Sequence, residues 1–241
     1  MNFKRLAFTL TLLAAGFAGA GNLVLIGDST LAPRTLQTPK GSWGDALTND
    51  LATGWQIVNV SIGGKTVMTA QKPDGKRKSE WERGLAALSK GDFAIVQFGI
   101  NDANKRKLVE IPAFKAEFAK FADEIRAKGA TPVFCSPVSS GTYDKDGKFK
   151  NTGSRLTYGK AIQEVAAEKK VDFVDMTALS SDILAKMEKA DGQKLFMGPD
   201  VRDGKPIFDT THPNKAGAKL FGAAFVKDVK ARKLPIAAIF R

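Results

Sequence analysis

The chain has 241 residues, of which 43% are hydrophobic, and its 37 Lys and Arg against 25 Asp and Glu give a formal net charge of +12. This length suits a single domain with a sizeable core, and the apolar fraction is too high for a disordered polybasic chain. One Cys excludes a scaffold of internal disulfides, and one His excludes metal sites that need two or more imidazoles. Any acid–base chemistry through imidazole therefore depends on His212.

The first twenty residues have the pattern of a secretory signal peptide. Lys4 and Arg5 form a short positive region, residues 6–17 are almost wholly apolar, and Ala18-Gly19-Ala20 matches a small-residue cleavage site. A membrane anchor is the alternative, but the apolar run is shorter than the ~20 residues that span a bilayer. We predict a signal peptide over residues 1–20 and a secreted or periplasmic domain over residues 21–241. Removal of Lys4 and Arg5 lowers the charge from +12 to +10.

Short apolar runs alternate with helix-like segments along the rest of the chain. Five runs bounded by Gly, Asp or Pro are predicted as buried strands, over residues 22–27, 56–60, 93–98, 131–135 and 171–175. Four segments with helical spacing of apolar residues are predicted as helices, over residues 43–51, 111–128, 155–169 and 215–230. This alternation predicts an α/β domain in which helices cover both faces of a parallel sheet, with the functional crevice at the carboxyl ends of the strands.

Two segments lack such periodicity. Residues 71–79 and 139–153, the latter with a turn at Asp146-Gly147, are predicted as surface loops. No Pro- or Ser-rich spacer divides the chain, so we expect one domain. Cys135 lies in an apolar strand, where a core position is expected.

Four short polar motifs lie directly after a predicted strand or before a predicted helix. In Gly27-Asp28-Ser29-Thr30 the glycine allows a sharp turn that presents the Ser29 hydroxyl, although a plain turn with a helix N-cap is the alternative. Gly63 and Gly64 follow the second strand, and they either let a backbone N–H approach a ligand or simply form a loop.

The other two motifs contain an amide and the single imidazole. In Gly99-Ile100-Asn101-Asp102, the Asn101 side chain can donate to an oxyanion, the alternative being an Asx-turn. Asp209 precedes His212 by three residues, so its carboxylate can accept the Nδ1–H and stabilise an imidazolium. A lone His is usually a structural or surface residue, but the four motifs in this order on an α/β pattern favour a catalytic role.

Written as GDST, SIGGK, GIND and DTTHP, the motifs resemble the four blocks of the SGNH (GDSL-type) hydrolases in order and spacing. The stretches IGDSTLAP, GSWGDAL, NVSIGGKT and DTTHPNKAGA are most similar to the rhamnogalacturonan acetylesterase group, and the resemblance runs from Leu23 to about Val229. It implies a three-layer α/β/α fold with a flavodoxin-like parallel sheet of five strands. No Gly-x-Ser-x-Gly occurs, which argues against the nucleophile elbow of the α/β-hydrolases.

The resemblance also assigns roles to individual residues. It implies that Ser29 is the nucleophile, His212 the general base and then acid, and Asp209 its orienting partner. The oxyanion hole would consist of the backbone N–H groups of Ser29 and Gly64 and the side chain of Asn101. The implied protein is a serine esterase that needs no metal or organic cofactor and removes O-acetyl groups from a polysaccharide or oligosaccharide, as rhamnogalacturonan (pectin) acetylesterases do.

Two positions depart from the acetylesterase pattern. Ile100 stands where that group usually has His, and residues 64–68 (GKTVM) lack both arginines of its Gly-Arg-Ser-x-Arg segment. Both departures are expected to lie where the substrate is held, so they affect the choice of substrate rather than the ester chemistry. Two alternatives therefore stay open: a lipid-ester or thioester hydrolase of the same superfamily, and a non-catalytic glycan-binding protein on the same fold.

The basic excess bears on the kind of partner. Residues 76–78 (KRK) and 105–107 (KRK) are the densest runs, and they represent either a solvated basic face or a surface that attracts an acidic polysaccharide. A nucleic-acid partner is not expected, because the chain has no zinc-finger or RNA-binding signature and only two Tyr for stacking.

Overall fold

A computed structural model of the chain describes residues 19–34, 38–151, 153–202 and 204–241. Most of the predicted signal peptide, residues 1–18, lies outside the described residues. In the part of the chain that the structure describes, no helix combines the length and the apolar character needed to cross a bilayer.

A parallel sheet of five strands forms the centre of the domain. Its strands are β1 (Gly21–Gly27), β2 (Trp55–Asn59), β3 (Phe93–Gln97), β4 (Thr131–Cys135) and β5 (Asp172–Val174). They lie in the order β2-β1-β3-β4-β5, and every neighbouring pair is parallel. The predicted flavodoxin-like sheet is confirmed, and each strand begins and ends within one residue of its predicted bounds.

Helices connect these strands. They are α1 (Trp43–Ala46), α2 (Glu80–Ala87), α3 (Ile111–Ala127), α4 (Gly153–Lys169), α5 (Met176–Leu184), α6 (Lys189–Gln193) and α7 (Lys215–Ala231). Two 3₁₀ helices cover Leu47–Asp50 and Pro235–Ile239. The predicted helix over residues 43–51 is wrong in its second half, because Thr48, Asn49 and Asp50 are weak helix formers and that half is a 3₁₀ turn.

Alternate residues of each strand pack into two cores, one on each face of the sheet. Val24 and Ile26 of β1 pack with the buried side chains of α2, α3 and α4. Leu23 and Leu25 pack with those of α1, α5 and α7. Cys135, at the end of β4, is fully buried in this second core as expected. The domain therefore has the predicted three layers, since successive side chains of a strand point to opposite faces.

A second sheet lies outside the central one and was not predicted. It is a hairpin of two antiparallel strands, β6 (Phe196–Arg202) and β7 (Lys205–Pro213). Pro199, Gly204 and Pro206 interrupt the alternation of polar and apolar residues on which strand prediction depends. The motif that ends in His212 therefore lies on a strand, and α7 begins only after Asn214, whose side chain caps the helix.

One predicted surface loop is partly buried. Residues 139–151 form an irregular segment between β4 and α4, but Ser139 is fully buried and Tyr143 nearly so. The Tyr143 hydroxyl donates to the carbonyl oxygen of Leu184 at 3.0 Å, and its ring packs against Phe149. The prediction of a surface loop is wrong for these residues, because an aromatic side chain and its paired hydroxyl anchor the segment on α5.

Candidate active site

The four polar motifs meet at the carboxyl edge of the parallel sheet. Ser29 follows β1, Gly63 and Gly64 follow β2, and Asn101 follows β3, so parallel strands carry them to the same edge. His212 reaches this edge from the hairpin, on β7. All five residues line one cavity of about 720 Å³. The structure thus brings together segments that are up to 183 residues apart in the chain.

A chain of hydrogen bonds joins the serine, the imidazole and the carboxylate. His212 Nε2 lies 2.9 Å from Ser29 Oγ, and His212 Nδ1 lies 2.7 Å from Asp209 Oδ2. The other carboxylate oxygen of Asp209 accepts from the backbone N–H groups of Thr211 at 2.9 Å and of His212 at 3.0 Å. Because the Asp209 carboxylate accepts a hydrogen bond from Nδ1, the ring proton lies on Nδ1. Nε2 is then free to accept the hydroxyl proton of Ser29.

Asp209 is 2% exposed, yet it is held in its charged form. Burial acts to raise the pKa of this carboxyl, but the hydrogen bonds from His212 and Thr211 outweigh that effect and keep the pKa well below its ordinary value. Near neutral pH the ionised carboxylate can therefore both orient the His212 ring and stabilise its protonated form.

Three N–H groups are available to an oxyanion in the same cavity. The backbone N–H groups of Ser29 and Gly64 have no hydrogen-bond acceptor among the described residues. Asn101 Nδ2 donates one hydrogen bond to the carbonyl oxygen of Lys65 at 3.0 Å, and an amide nitrogen carries a second hydrogen. Gly63 lies so close that a Cβ there would be 3.5 Å from Ser29 Cβ. The turn at residues 63–64 therefore runs beside the serine.

Buried polar side chains fix the turn that carries Ser29. Asp28 Oδ1 accepts from both the backbone N–H and the hydroxyl of Thr30 at 3.0 Å, and from Gln97 Nε2 at 3.1 Å. Gln97 Oε1 in turn accepts from the Trp43 indole at 2.8 Å. Burial outweighs these bonds and raises the pKa of Asp28. This network was not predicted, although the polar Gln97 at the end of an apolar strand was a signal for it.

Asp102 joins the loops that follow β2 and β3. Its two carboxyl oxygens accept from the backbone N–H groups of Val67 and Gly99, each at 2.9 Å. Burial raises the pKa of Asp102 to about 6 in spite of these bonds. One side chain thus sets the relative positions of the Gly64 turn and of Asn101.

Four cationic side chains line the cavity: Arg34, Lys40, Lys107 and Arg155. No acidic side chain lines it among the described residues. Arg34 Nη2 donates to the carbonyl oxygen of Ser29, and Lys107 Nζ donates to that of Gly64 at 2.7 Å. Arg155 is 5% exposed, and burial lowers its pKa to about 10 against the opposing effect of the Asp28 and Asp209 carboxylates. The cavity is therefore electropositive at neutral pH.

Of the two basic runs in the sequence, only the second contributes to the cavity, and only through Lys107. Arg34, Lys40 and Arg155 were not predicted, because isolated cations carry no motif. Ile100 lines the cavity as expected, but residues 65–68 do not. Val67 is instead fully buried, with its N–H bound to Asp102, so the expectation that this segment holds substrate is not met in this cavity.

A serine hydroxyl, an imidazole and a buried carboxylate in continuous hydrogen-bond contact form the arrangement used by serine hydrolases. Residues 25–220 match the GDSL-like lipase/acylhydrolase family, and the chain belongs to this family. The predicted family is thereby confirmed, as is the class of enzyme, a carboxylic ester hydrolase.

The relatives in sequence include two proteins of Bacillus subtilis (strain 168). One, "Probable rhamnogalacturonan acetylesterase YesY", is 29% identical over 221 residues, which cover 90% of this chain and 96% of the relative. The other, rhamnogalacturonan acetylesterase RhgT, is 26% identical over 219 residues, with 88% and 90% coverage. In each comparison, the similarity extends over nearly the whole of this chain and nearly the whole of the relative.

Solved structures show the same fold. The protein YxiM from Bacillus subtilis superposes with a TM-score of 0.76 at 22% identity, over 90% of this chain and 58% of that one. Axe2, an acetylxylan esterase from Geobacillus stearothermophilus, gives a TM-score of 0.61 at 23% identity, with 88% and 95% coverage. These likenesses confirm the predicted three-layer fold.

Proposed function

We propose that this protein is a secreted or periplasmic serine esterase that removes O-acetyl groups from an acidic polysaccharide, in the manner of rhamnogalacturonan acetylesterases. The observation that carries the proposal is the contact of 2.9 Å between Ser29 Oγ and His212 Nε2 at the wall of an electropositive cavity. Sequence relatives described as rhamnogalacturonan acetylesterases support acetate as the acyl group and a polysaccharide as its carrier.

In the proposed reaction, His212 Nε2 takes the hydroxyl proton while Ser29 Oγ forms a bond to the acetyl carbonyl carbon. The negative charge that develops on the carbonyl oxygen is stabilised by the N–H groups of Ser29, Gly64 and Asn101. The bond to the sugar oxygen then breaks, and His212 returns the proton to that oxygen. Water attacks the acetyl-serine by the same steps, releases acetate and restores the Ser29 hydroxyl.

The charge of the cavity supports a substrate that carries anionic groups near the ester. Arg34, Lys40 and Lys107 line the cavity, and no acidic side chain lines it among the described residues, so a carboxylate of a neighbouring sugar would gain favourable Coulomb energy there. Charge attraction of this kind is screened by salt. We expect KM for an acetylated acidic polymer to rise several-fold when the salt concentration increases from about 50 to about 500 mM, with little change for a neutral ester.

Export is supported by the sequence of the first twenty residues. The first strand of the sheet begins at Gly21, directly after the proposed cleavage site, so removal of residues 1–20 leaves every described strand and helix complete. N-terminal sequencing of the protein recovered from the periplasm or the medium of the producing cells tests this proposal, with Gly21 expected as the first residue. Recovery of the full-length chain in a cell extract alone would contradict it.

The deciding experiment is acetate release from acetylated pectic polymer, acetylated xylan and acetylated peptidoglycan. We expect the pectic polymer to be preferred, and we expect the Ser29→Ala variant to be inactive while keeping its fold. Ser154→Ala is the matched control, since Ser154 lines the same cavity without a hydrogen bond to His212, and it should retain activity. Undiminished activity of Ser29→Ala would refute the proposed mechanism.

The two alternatives give different results in related assays. Activity on p-nitrophenyl esters that rises with acyl chain length would indicate a lipid-ester or thioester hydrolase. Binding of acetylated polymer without any turnover would indicate a glycan-binding protein. A sharp preference for the acetyl ester supports the proposed function.

A further inference from the structure

We propose that Lys107 is a positioning residue for the oxyanion hole, because its ammonium group fixes the turn that directs the Gly64 N–H into the active site. The proposal rests on the proposed role of Gly64 as an oxyanion donor. Lys107 itself need not touch the substrate.

The turn at residues 63–64 needs an external constraint. Gly64 has a φ of +81°, which glycine adopts without steric cost, and a second glycine precedes it, so the backbone here can rotate readily. The only backbone hydrogen bond that closes this turn among the described residues runs from the Lys65 N–H to the carbonyl oxygen of Ile62, and it is long at 3.5 Å. The backbone alone therefore holds the Gly64 N–H direction weakly.

Lys107 supplies the missing constraint from a neighbouring loop. Its Nζ donates to the Gly64 carbonyl oxygen at 2.7 Å, and a charged donor makes a short, strong hydrogen bond. The peptide between Gly64 and Lys65 is thus held at its carbonyl by Lys107, and the next carbonyl along, that of Lys65, is held by Asn101 Nδ2. With this peptide fixed, rotation at Gly64 is restricted and its own N–H keeps one direction.

The loop that carries Lys107 is itself well anchored. The Lys107 N–H donates to the Asn104 carbonyl oxygen at 2.8 Å, and the Asn104 N–H donates to that of Asn101 at 3.0 Å. On the far side, the Val109 N–H donates to the Asp102 carbonyl oxygen at 3.0 Å. The loop that begins at Asn101 therefore fixes the position of Lys107. Through this one loop, the positions of two proposed oxyanion donors, Asn101 and Gly64, are linked.

The neighbouring Lys105 offers a matched control. Both lysines are exposed and lie in the same loop, but only Lys107 lines the cavity and binds the turn. Removing one exposed lysine changes global stability little. Variants of either lysine should therefore fold, and a difference in activity between them reports on the turn at residues 63–64.

The test compares Lys107→Met, Lys107→Arg and Lys105→Met on p-nitrophenyl acetate, a small substrate without an anionic group. Loss of an oxyanion donor lowers kcat by about 10²–10³, and misdirection of one donor should cost less, so we expect Lys107→Met to lower kcat about tenfold with KM nearly unchanged. The inhibition constant of phenylboronic acid, whose serine adduct is tetrahedral, should rise by a similar factor. Lys107→Arg keeps a cationic donor and should recover most of the loss, while Lys105→Met should behave as the wild type.

Two results would overturn the proposal. One is an unchanged kcat on p-nitrophenyl acetate in a Lys107→Met variant whose melting temperature is also unchanged. The other is an increase in KM confined to acidic polymers, which would make Lys107 a substrate contact instead. Failure of the esterase mechanism is distinguishable from both, since activity would then survive in Ser29→Ala.

Discussion

Glu80 accepts a hydrogen bond from the backbone N–H of Gly27 at 2.9 Å, two residues before Ser29. A carboxyl that is 1% exposed thus packs against the start of the proposed nucleophile turn. Burial raises the pKa of Glu80 from 4.5 to about 9, in spite of that hydrogen bond. The carboxyl is therefore uncharged at neutral pH, and the turn that carries Ser29 rests on a neutral acid.

The raised pKa of Glu80 makes the free energy of unfolding depend on pH. Between pH 4.5 and about 9 the folded state holds a proton on Glu80 that the unfolded state releases, so the contribution of Glu80 to stability declines as pH rises through this range. Glu80→Gln keeps the acceptor oxygen and cannot ionise. We expect its melting temperature, relative to the wild type, to increase by several degrees between about pH 5 and about pH 9.

Thermal unfolding at several pH values measures this difference. Asp102 also has a raised pKa, but it is present in both proteins and its contribution cancels from the comparison. Glu168→Gln, at an exposed position of α4, should show no such trend. A difference between Glu80→Gln and wild type that stays constant with pH would mean that Glu80 is already charged in the fold.

Asp209→Asn should abolish most of the activity. An amide in place of the ionised carboxylate can donate to Nδ1 and favour the wrong tautomer, and a change of this kind lowers kcat by about 10³–10⁴. Hydrolysis of p-nitrophenyl acetate measures the effect. Asp200→Asn, on the other strand of the same hairpin, removes a carboxylate whose only hydrogen-bond partner among the described residues is its neighbour Val201, and it should leave kcat unaffected. A loss below about tenfold would exclude the proposed role of Asp209.

Asn101→Ala tests the side-chain donor of the oxyanion hole. We expect kcat to fall by about 10²–10³, since one of three proposed donors is lost, with a smaller change in KM. Asn104→Ala is the comparison, because Asn104 lines the cavity but, within the part of the chain that the structure describes, its side chain accepts only from the Arg106 N–H. Equal losses in the two variants would indicate a disturbed loop rather than a missing donor.

Gly64→Ala separates backbone strain from catalytic geometry. Gly64 and Gly147 have nearly the same φ, +81° and +79°, and a Cβ at Gly147 meets nothing within 4 Å. An L-residue at such a φ costs about 1–2 kcal/mol, so both alanine variants should lose similar stability. Only Gly64→Ala, whose Cβ would lie 3.4 Å from Lys107 Nζ, should also lose activity, by about tenfold or more.

Denaturant unfolding and p-nitrophenyl acetate kinetics on the same two preparations provide the measurement. Full activity in a Gly64→Ala variant of reduced stability would show that the direction of this N–H does not matter for the reaction. Loss of activity in Gly147→Ala would show that the effect comes from stability alone.

The amino-acid sequence by itself determined the central sheet. Each strand contains a short apolar run, and those of β1, β3 and β4 are largely buried, while the edge strands β2 and β5 are only partly so. Composition and bounding residues were enough to place each strand within one residue. It did not reveal the hairpin of β6 and β7, where proline and glycine break the alternation, nor the short helices α2, α5 and α6. For α2 a local signal existed, since Ser79 and Glu82 form a capping box.

The motifs in the sequence also singled out Ser29, Gly64, Asn101, Asp209 and His212, because each follows a strand end or precedes a helix in a recognisable order. Only the tertiary structure decided that four of these residues line one cavity, with Asp209 hydrogen-bonded to His212. It also decided that Lys107 and Arg34 hold the carbonyl oxygens of two proposed oxyanion donors. The physical reason is clearest for Lys107, whose ammonium group contacts a carbonyl oxygen 43 residues away in the chain. The sequence around Lys107 has no periodicity or spacing that predicts which distant carbonyl oxygen its side chain will bind. That contact forms only when the sheet brings the two loops to the same edge.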